Sequence, residues 1–356
     1  MLRQAVRSTL NRRASLLVSR SCSSSSPTPP LLPHDLTMTA SAESSSSSRH
    51  FARLQQAVQR LTPLALAETK WDNVGIMVEA PEPATPTPTP RTKVVCCIDL
   101  TTHVCDAALA QPDVFAILTY HPPIFSGLKS LSLSNPLQRS LLRCIAAGVS
   151  VYTIHTAADN AIGGVNDYMG SGLLQFAGVE TDPDGMCWPS PEPSGESSLA
   201  ALSPAKDVPE GQEGAGGGRI VRLAESAKGG RALSRNEVVR AVKQRLNLQY
   251  LQAAWSPTGA DEIKTVAICA GSGSGVLKGV NADLYLTGEM GHHDILAANA
   301  AGIHVLCCNH SATERPWLSY FAPRLQDALN QLAAGDGADR YEVQVSSEDR
   351  EPLEVV

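Results

Sequence analysis

The residues of this sequence with the most chemical potential are His121, His155, Asp159, His310 and Glu314. His155 precedes Asp159 by four positions, and His310 precedes Glu314 by the same interval. In a helical turn, positions i and i+4 face the same way, so each pair can present an imidazole and a carboxylate to one ion. That donor set suits a divalent Zn, Mn, Fe or Ni ion, among which it does not choose, rather than a soft metal held by thiolates. His121 follows the apolar run AILTY and precedes Pro122-Pro123, which removes backbone donors and fixes where the chain leaves a strand. Taken singly, each histidine reads as a polar residue at a strand end. Taken together at matched places, they read as a metal site.

The matched places come from two stretches that resemble each other. The first holds VVCCI (Val94–Ile98), then DVFAILTYH, then AAGVSVYTIHTAAD; the second holds TVAICA (Thr265–Ala270), then DLYLTGE, then AAGIHVLCCNHSATE. In both, a helical stretch ends in Ala-Ala-Gly, leads into a strand, and stops at a histidine with an acid four residues on. The glycine-to-histidine interval differs by one residue, so the duplication is weak rather than tandem. Short β-branched runs alternating with helical stretches such as 136–147 and 236–246 predict an α/β fold with buried sheets flanked by helices. Two related α/β units of this kind would enclose a cleft, with ligands beyond the carboxyl ends of the strands.

Composition shifts set the expected boundaries. Residues 1–49 contain Arg3, Arg7, Arg12, Arg13 and Arg20, abundant serine and no acid before Asp35, the composition of a mitochondrial transit peptide followed by a Ser-rich linker. Initiation at Met38 would remove that segment and leave a cytoplasmic or nuclear protein. The first unit is expected over 50–180 and the second over 219–356. Residues 181–218, rich in Pro, Gly, Ser and Glu, read as a disordered insertion or linker. The proline-rich stretch 81–90 cannot be helix or central strand.

A net charge of −6 and a pI near 5.9 argue against direct nucleic-acid binding, and no apolar run reaches the ~18 residues of a membrane span. The nine cysteines include the pairs Cys96-Cys97 and Cys307-Cys308 but no Cys-x-x-Cys, and they read as reduced, buried residues. The AGSGSG loop (Ala270–Gly275) lacks the lysine of a P-loop and reads as a tight turn. His292-His293 could line the cleft or a subunit contact. Trp71-Asp72-Asn73 reads as a packing and capping element, with Asp72 a candidate for the cleft's edge.

Several separated blocks resemble the Nif-three-like family, also named GTP cyclohydrolase 1 type 2 homologues: ALAETKWDNVGIMVE, YHPPIF, HTAADNAIGGVND, LTGEMGHHDILAA and NHSATER. The resemblance implies two related α/β units around a cleft with a pair of divalent metals, assembled as a homo-hexamer. Carried over by motif, the metal ligands would be His121, Asp159, His310 and Glu314, with His155 a catalytic base or a support beside them. Glu314 would bridge, His121 and His310 would hold one ion, and Asp159 with Tyr120 or water the other. Tyr120 departs from the family's usual His-His-Pro, and a phenol is the poorer ligand at neutral pH. The second ion site is therefore expected to be weak, tyrosine-assisted or empty, giving one or two ions per chain. The function implied is metal-dependent hydrolysis of a nucleotide or phosphoester-like small molecule. The alternative is a non-enzymatic regulatory protein with transcription-factor partners.

Overall fold

The structure, a computed structural model, describes residues 46–81, 89–190, 198–223, 229–334 and 340–356. The leader-like segment before residue 46 and most of the proline-rich stretch lie outside the described residues. Helix α1 (Ser46–Leu61) starts inside the serine run that the sequence reading gave to the linker. Phe51, Leu54 and Val58 fall on one buried face of it, the i, i+3, i+7 spacing of an amphipathic helix. After a 3-10 turn (Leu64–Leu66) come β1 (Gly75–Val78), β2 (Lys93–Cys97), α2 (Thr102–Leu109), β3 (Val114–Thr119), α3 (Pro136–Ala146), β4 (Ser150–Thr153), α4 (His155–Asn160) and α5 (Val165–Phe176). Two strands follow, β5 (Leu199–Pro204) and β6 (Gly216–Arg222). The second half comprises β7 (Leu233–Ser234), α6 (Arg235–Leu246), β8 (Gln252–Ala254), β9 (Glu262–Ile263), β10 (Thr265–Ser272), α7 (Ser274–Leu277), β11 (Leu284–Glu289), α8 (His292–Ala300), β12 (His304–Cys307), α9 (Trp317–Ala333) and β13 (Glu342–Val345).

The main strands form two sheets, ordered β1-β4-β3-β2-β13 and β5-β6-β10-β11-β12-β8. Strands β2, β3 and β4 are parallel, with β1 antiparallel on the outer edge of β4. Strands β10, β11 and β12 are likewise parallel, with β8 antiparallel on the outer edge of β12. The duplication read from sequence is thus a duplication of topology. Its parallel strands are continuous apolar runs because helices cover both faces; every residue of β3 is buried. Helix boundaries follow local chemistry. Asn135 accepts hydrogen bonds from the backbone N–H groups of Leu137 and Gln138, and Pro136 opens α3. Ser234 and Glu237 close a capping box at α6.

Two expectations about boundaries fail. Residues 181–218 are not a linker throughout, because β5 and the start of β6 lie within them and pair antiparallel. The glycine run folds because Arg219, fully buried, donates from its guanidinium to Asp167 and to the carbonyls of Gly216, Gly218, Asn160 and Ala161. A buried charge that is paired and hydrogen-bonded fixes surrounding backbone that composition alone marks as loose. The second half also does not keep to itself: β13 pairs parallel with β2, Val343 opposite Val94, and completes the first sheet. The eight described cysteines are free, and all but Cys307 are buried.

Candidate metal centre

The ends of the parallel strands carry the candidate residues. Beyond β3, the ladder continues for two residues: the Tyr120 N–H donates to the Cys97 carbonyl at 2.8 Å and the His121 N–H to the Ile98 carbonyl at 2.9 Å. Pro122 then stops it. Beyond β4, the His155 N–H donates to the Tyr120 carbonyl at 3.0 Å, and the chain turns into α4 with His155 at φ 22°. Beyond β12, Asn309 takes φ 69° and His310 opens a turn. The Thr313 hydroxyl donates to the His310 carbonyl at 2.7 Å and accepts from the Gly271 N–H at 2.9 Å, so this turn is tied to the end of β10.

The structure brings His121, His310 and Glu314 together, one ligand atom of each lying within 4.8 Å of the others. Nε2 of His121 stands 3.4 Å from Glu314 Oε2, and Nε2 of His310 stands 3.3 Å from Oε1. The opposite ring nitrogens are also engaged. His121 Nδ1 meets Asp99 Oδ1 and His310 Nδ1 meets Glu289 Oε1, each at 3.0 Å. A carboxylate behind the far nitrogen is the usual way a metal-ligating histidine is oriented and made more basic. With Nδ1 protonated toward those acids, both Nε2 lone pairs and the Glu314 carboxylate converge on one point. In that tautomer the convergence is repulsive until a cation relieves it, either a proton on Nε2 or a metal ion.

Three further observations fit the donor set to a divalent ion. Glu314 is 2% exposed and its Oε2 accepts no hydrogen bond among the described residues, a costly state for a buried carboxylate oxygen. Gly271, at φ +61°, leaves open the space beside it: a Cβ there would stand 2.7 Å from Glu314 Oε1 and 3.0 Å from His310 Nε2. Burial disfavours the charged form of His121, yet Asp99 and then Glu314 more than offset this and hold its pKa at about 10. The local field therefore favours positive charge at this point.

Asp159 stands apart from that group. It accepts a short hydrogen bond from the Tyr120 hydroxyl. Burial lifts its pKa to about 6, against the pull of Tyr120 and of His155. Burial, with the charges of Asp159 and Glu314, pushes the Tyr120 phenol well above its ordinary range, so it serves here as a neutral donor. His155 points its Nδ1 at Asp72 Oδ1, 2.6 Å away, while the other oxygen of Asp72 accepts from the Thr156 N–H at 3.2 Å. The His155 ring centroid lies 5.3 Å from that of His121. His155 and Asp159 thus border the centre, on a cavity of about 660 Å³ that residues of both halves line.

Sequence reasoning missed Asp99, Glu289 and the role of Asp72 behind the histidines. A signal was present, since Asp99 and Glu289 sit at the carboxyl ends of β2 and β11 as the histidines do at theirs. Trp71 differs from the packing role its sequence suggests, being 55% exposed. His292 and His293 are exposed at the start of α8 and do not line the cavity. Of the AGSGSG loop, the first residues finish β10, and the N–H of Gly273 is spent on the Glu289 carbonyl.

Comparison with known proteins agrees with the resemblance carried by the motifs. The family model for Duf34/NIF3 (NGG1p interacting factor 3) matches residues 50–348. The Protein NIF3 homolog of Schizosaccharomyces pombe is 36% identical over 307 residues, covering 85% of this chain and 96% of that relative. NGG1-interacting factor 3 of Saccharomyces cerevisiae is 34% identical over 312 residues, covering 85% of this chain and 96% of its own length. The solved structure of a Bacillus cereus protein related to NIF3 shares the fold, with a TM-score of 0.64 at 17% identity over 86% of this chain and 98% of that one.

Proposed function

The chain belongs to the Duf34/NIF3 family, and from that premise we propose that it holds a divalent metal at His121, His310 and Glu314 and hydrolyses a small molecule bound in the adjoining cavity. The observation that carries this reading is the pair of carboxylate-backed imidazoles aimed at an unsatisfied buried carboxylate. A bound divalent ion would supply Lewis acidity and acidified water. The protein's own residues divide the remaining work. His155, with Nδ1 held by Asp72, keeps Nε2 free to take a proton in the cavity, the geometry of an oriented general base. Tyr120 holds Asp159 in place, and any second ion would have to compete with that hydrogen bond for the carboxylate. The substrate class proposed is a nucleotide or phosphoester-like molecule. In keeping with the family resemblance, the assembly proposed is a homo-hexamer and the location, from the Arg-rich leader, the mitochondrion.

A second reading draws on the yeast relative's name, NGG1-interacting factor 3: the metal centre would be structural or regulatory and the working ligand a protein. One experiment separates the two. Purified chain is analysed for metal and assayed for hydrolysis of nucleotides and phosphoesters, beside His310→Ala and His155→Gln. The hydrolase reading expects activity that needs the metal and is lost in both variants, with metal retained in His155→Gln. A full metal complement with no turnover on any substrate favours the second reading.

A further inference from the structure

The mouth of the cavity carries two large aromatic side chains that the metal-centre chemistry leaves without a task. Trp71 is 55% exposed and Phe125 53% exposed, although both line the cavity. Their ring centroids lie 6.2 Å apart at an interplanar angle of 41°. Each also stands edge-on to His155, at 6.0 Å and 6.4 Å. They come from different loops, one ahead of β1 and one after β3, and the loops are fastened together: Asn73 Nδ2 donates to the Ile124 carbonyl at 2.5 Å. Next to Trp71, Asp72 is locked to His155 and Thr156. The rings are therefore positioned by hydrogen bonds one residue away, while much of their surface remains open.

The rest of the lining narrows what could cover them. Gly217, Gly218, Gly271 and Gly275 contribute backbone without side chains, which leaves room for a flat body. Glu68, Asp159 and Glu314 contribute acids, and neither lysine nor arginine lines the cavity among the described residues. Proteins that grip a polyphosphate do so with arginine forks, lysine or cation-bearing loops. Here the acids are of the wrong sign for one, and positive charge would come only from the proposed ion and the histidines beside it, with nothing further out to hold a polyphosphate tail. Exposed aromatic faces are suited to stacking on a planar π-system, and they do so with little regard to its substituents.

We propose that the exposed faces of Trp71 and Phe125 form a stacking platform for a planar heteroaromatic ligand, a nucleoside-like or nucleobase-like ring recognised without a polyphosphate tail. This rests on the cavity being the site of chemistry, and it narrows the substrate class from nucleotides in general to the ring itself. His155 neighbours both the platform and His121 of the metal centre, so a ring stacked at the mouth presents its inner edge to the candidate base.

The test is binding without turnover, by ligand-detected NMR and calorimetry on the metal-loaded full chain. The probes are guanosine, adenosine, pterin and nicotinamide, with cyclohexanol as the saturated control and inorganic triphosphate as competitor. The expected result is that at least one heteroaromatic probe binds and cyclohexanol does not. Trp71→Ala should then weaken that probe about tenfold or more, the scale of a lost stacking contact, while Trp71→Phe keeps most of the affinity. Triphosphate should not displace the probe, and GTP should bind no tighter than guanosine. Binding that survives in His310→Ala upholds the stacking platform even where the hydrolase reading fails. Failure of every heteroaromatic probe would overturn the proposal, as would competition by triphosphate. So would a Trp71→Ala variant that melts like the wild type, binds the probe unchanged and differs only in oligomeric mass, because the ring would then be a subunit contact.

Discussion

The two halves of this molecule present the same sequence device, a histidine and an acid four residues apart beyond a parallel strand, and use it differently. In the second half, His310 and Glu314 both face the centre, their nearest atoms 3.3 Å apart. In the first half, His155 turns its Nδ1 to Asp72 and Asp159 is capped by Tyr120, so the first half contributes His121 to the centre instead. The second half has one more residue between its strand and its histidine. Its chain reverses at Asn309, φ 69°, and asparagine tolerates the left-handed region better than most residues. The first half goes straight from strand into α4, with the unusual φ of 22° falling on His155 itself. Equal spacing within a motif therefore does not give equal roles; the backbone path from strand to motif decides whether the imidazole joins the His121–His310–Glu314 group.

The sharpest way to break this comparison is to alter the matched acids. Glu314→Gln should lower metal affinity by more than about 100-fold, exceeding the ~10–100-fold typical for a supporting residue. Asp159→Asn should lower it less than about tenfold, well below the range for a supporting residue. Competition with a calibrated chelator measures both. Equal losses in the two variants would make the halves equivalent and remove the distinction.

The carboxylates behind the ligands come next. Asp99→Asn and Glu289→Gln should each weaken metal binding by ~10–100-fold, because both release an Nδ1 now held at 3.0 Å. Glu289 is 58% exposed on its side chain and Asp99 40%, so the Asp99 variant should show the larger loss. Titration of the apo protein reads the difference.

The smallest effect sharpens the comparison at Tyr120. With its hydroxyl on Asp159, the wild type should bind about one ion per chain, and Tyr120→His should raise this towards two, since imidazole adds a neutral donor where the phenol holds its proton. Elemental analysis of both proteins checks it. Two ions in the wild type at undiminished affinity would mean that the phenol or a water suffices.

Much of this arrangement was legible beforehand, for physical reasons that also explain the gaps. Parallel strands covered on both faces must be apolar throughout, so VVCCI, FAILT, TVAIC and LYLTG announced themselves. The histidines beyond such runs read singly as ordinary strand-end residues and became conspicuous only as a matched set, each of the two pairs with an acid four residues on. Asp99 and Glu289 sit at equivalent points, but an acid at a strand end is ordinary on a surface, and only the distance to Nδ1 gives it meaning. Strand β6 was hidden by its glycines, whose order depends on buried Arg219 and its bond to Asp167. Strand β13 was hidden because EVQV gains its place from pairing with β2, far away in the chain. Trp71 sits among polar residues, Glu68-Thr69-Lys70 before it and Asp72-Asn73 after it; a tryptophan is mostly buried on average, and the exposure here follows from the loop geometry set by Asp72 and Asn73.

The central claim is that His121, His310 and Glu314 meet on one ion while Asp159 does not share it. Anomalous diffraction from crystals of the metal-loaded chain, recorded on either side of the metal's absorption edge, locates that ion directly. The account predicts one strong peak at roughly 2–2.3 Å from both Nε2 atoms and from a Glu314 oxygen, with the Tyr120 hydroxyl still on Asp159. A strong peak between His155 and Asp159, or loaded crystals with no peak beside Glu314, would contradict it.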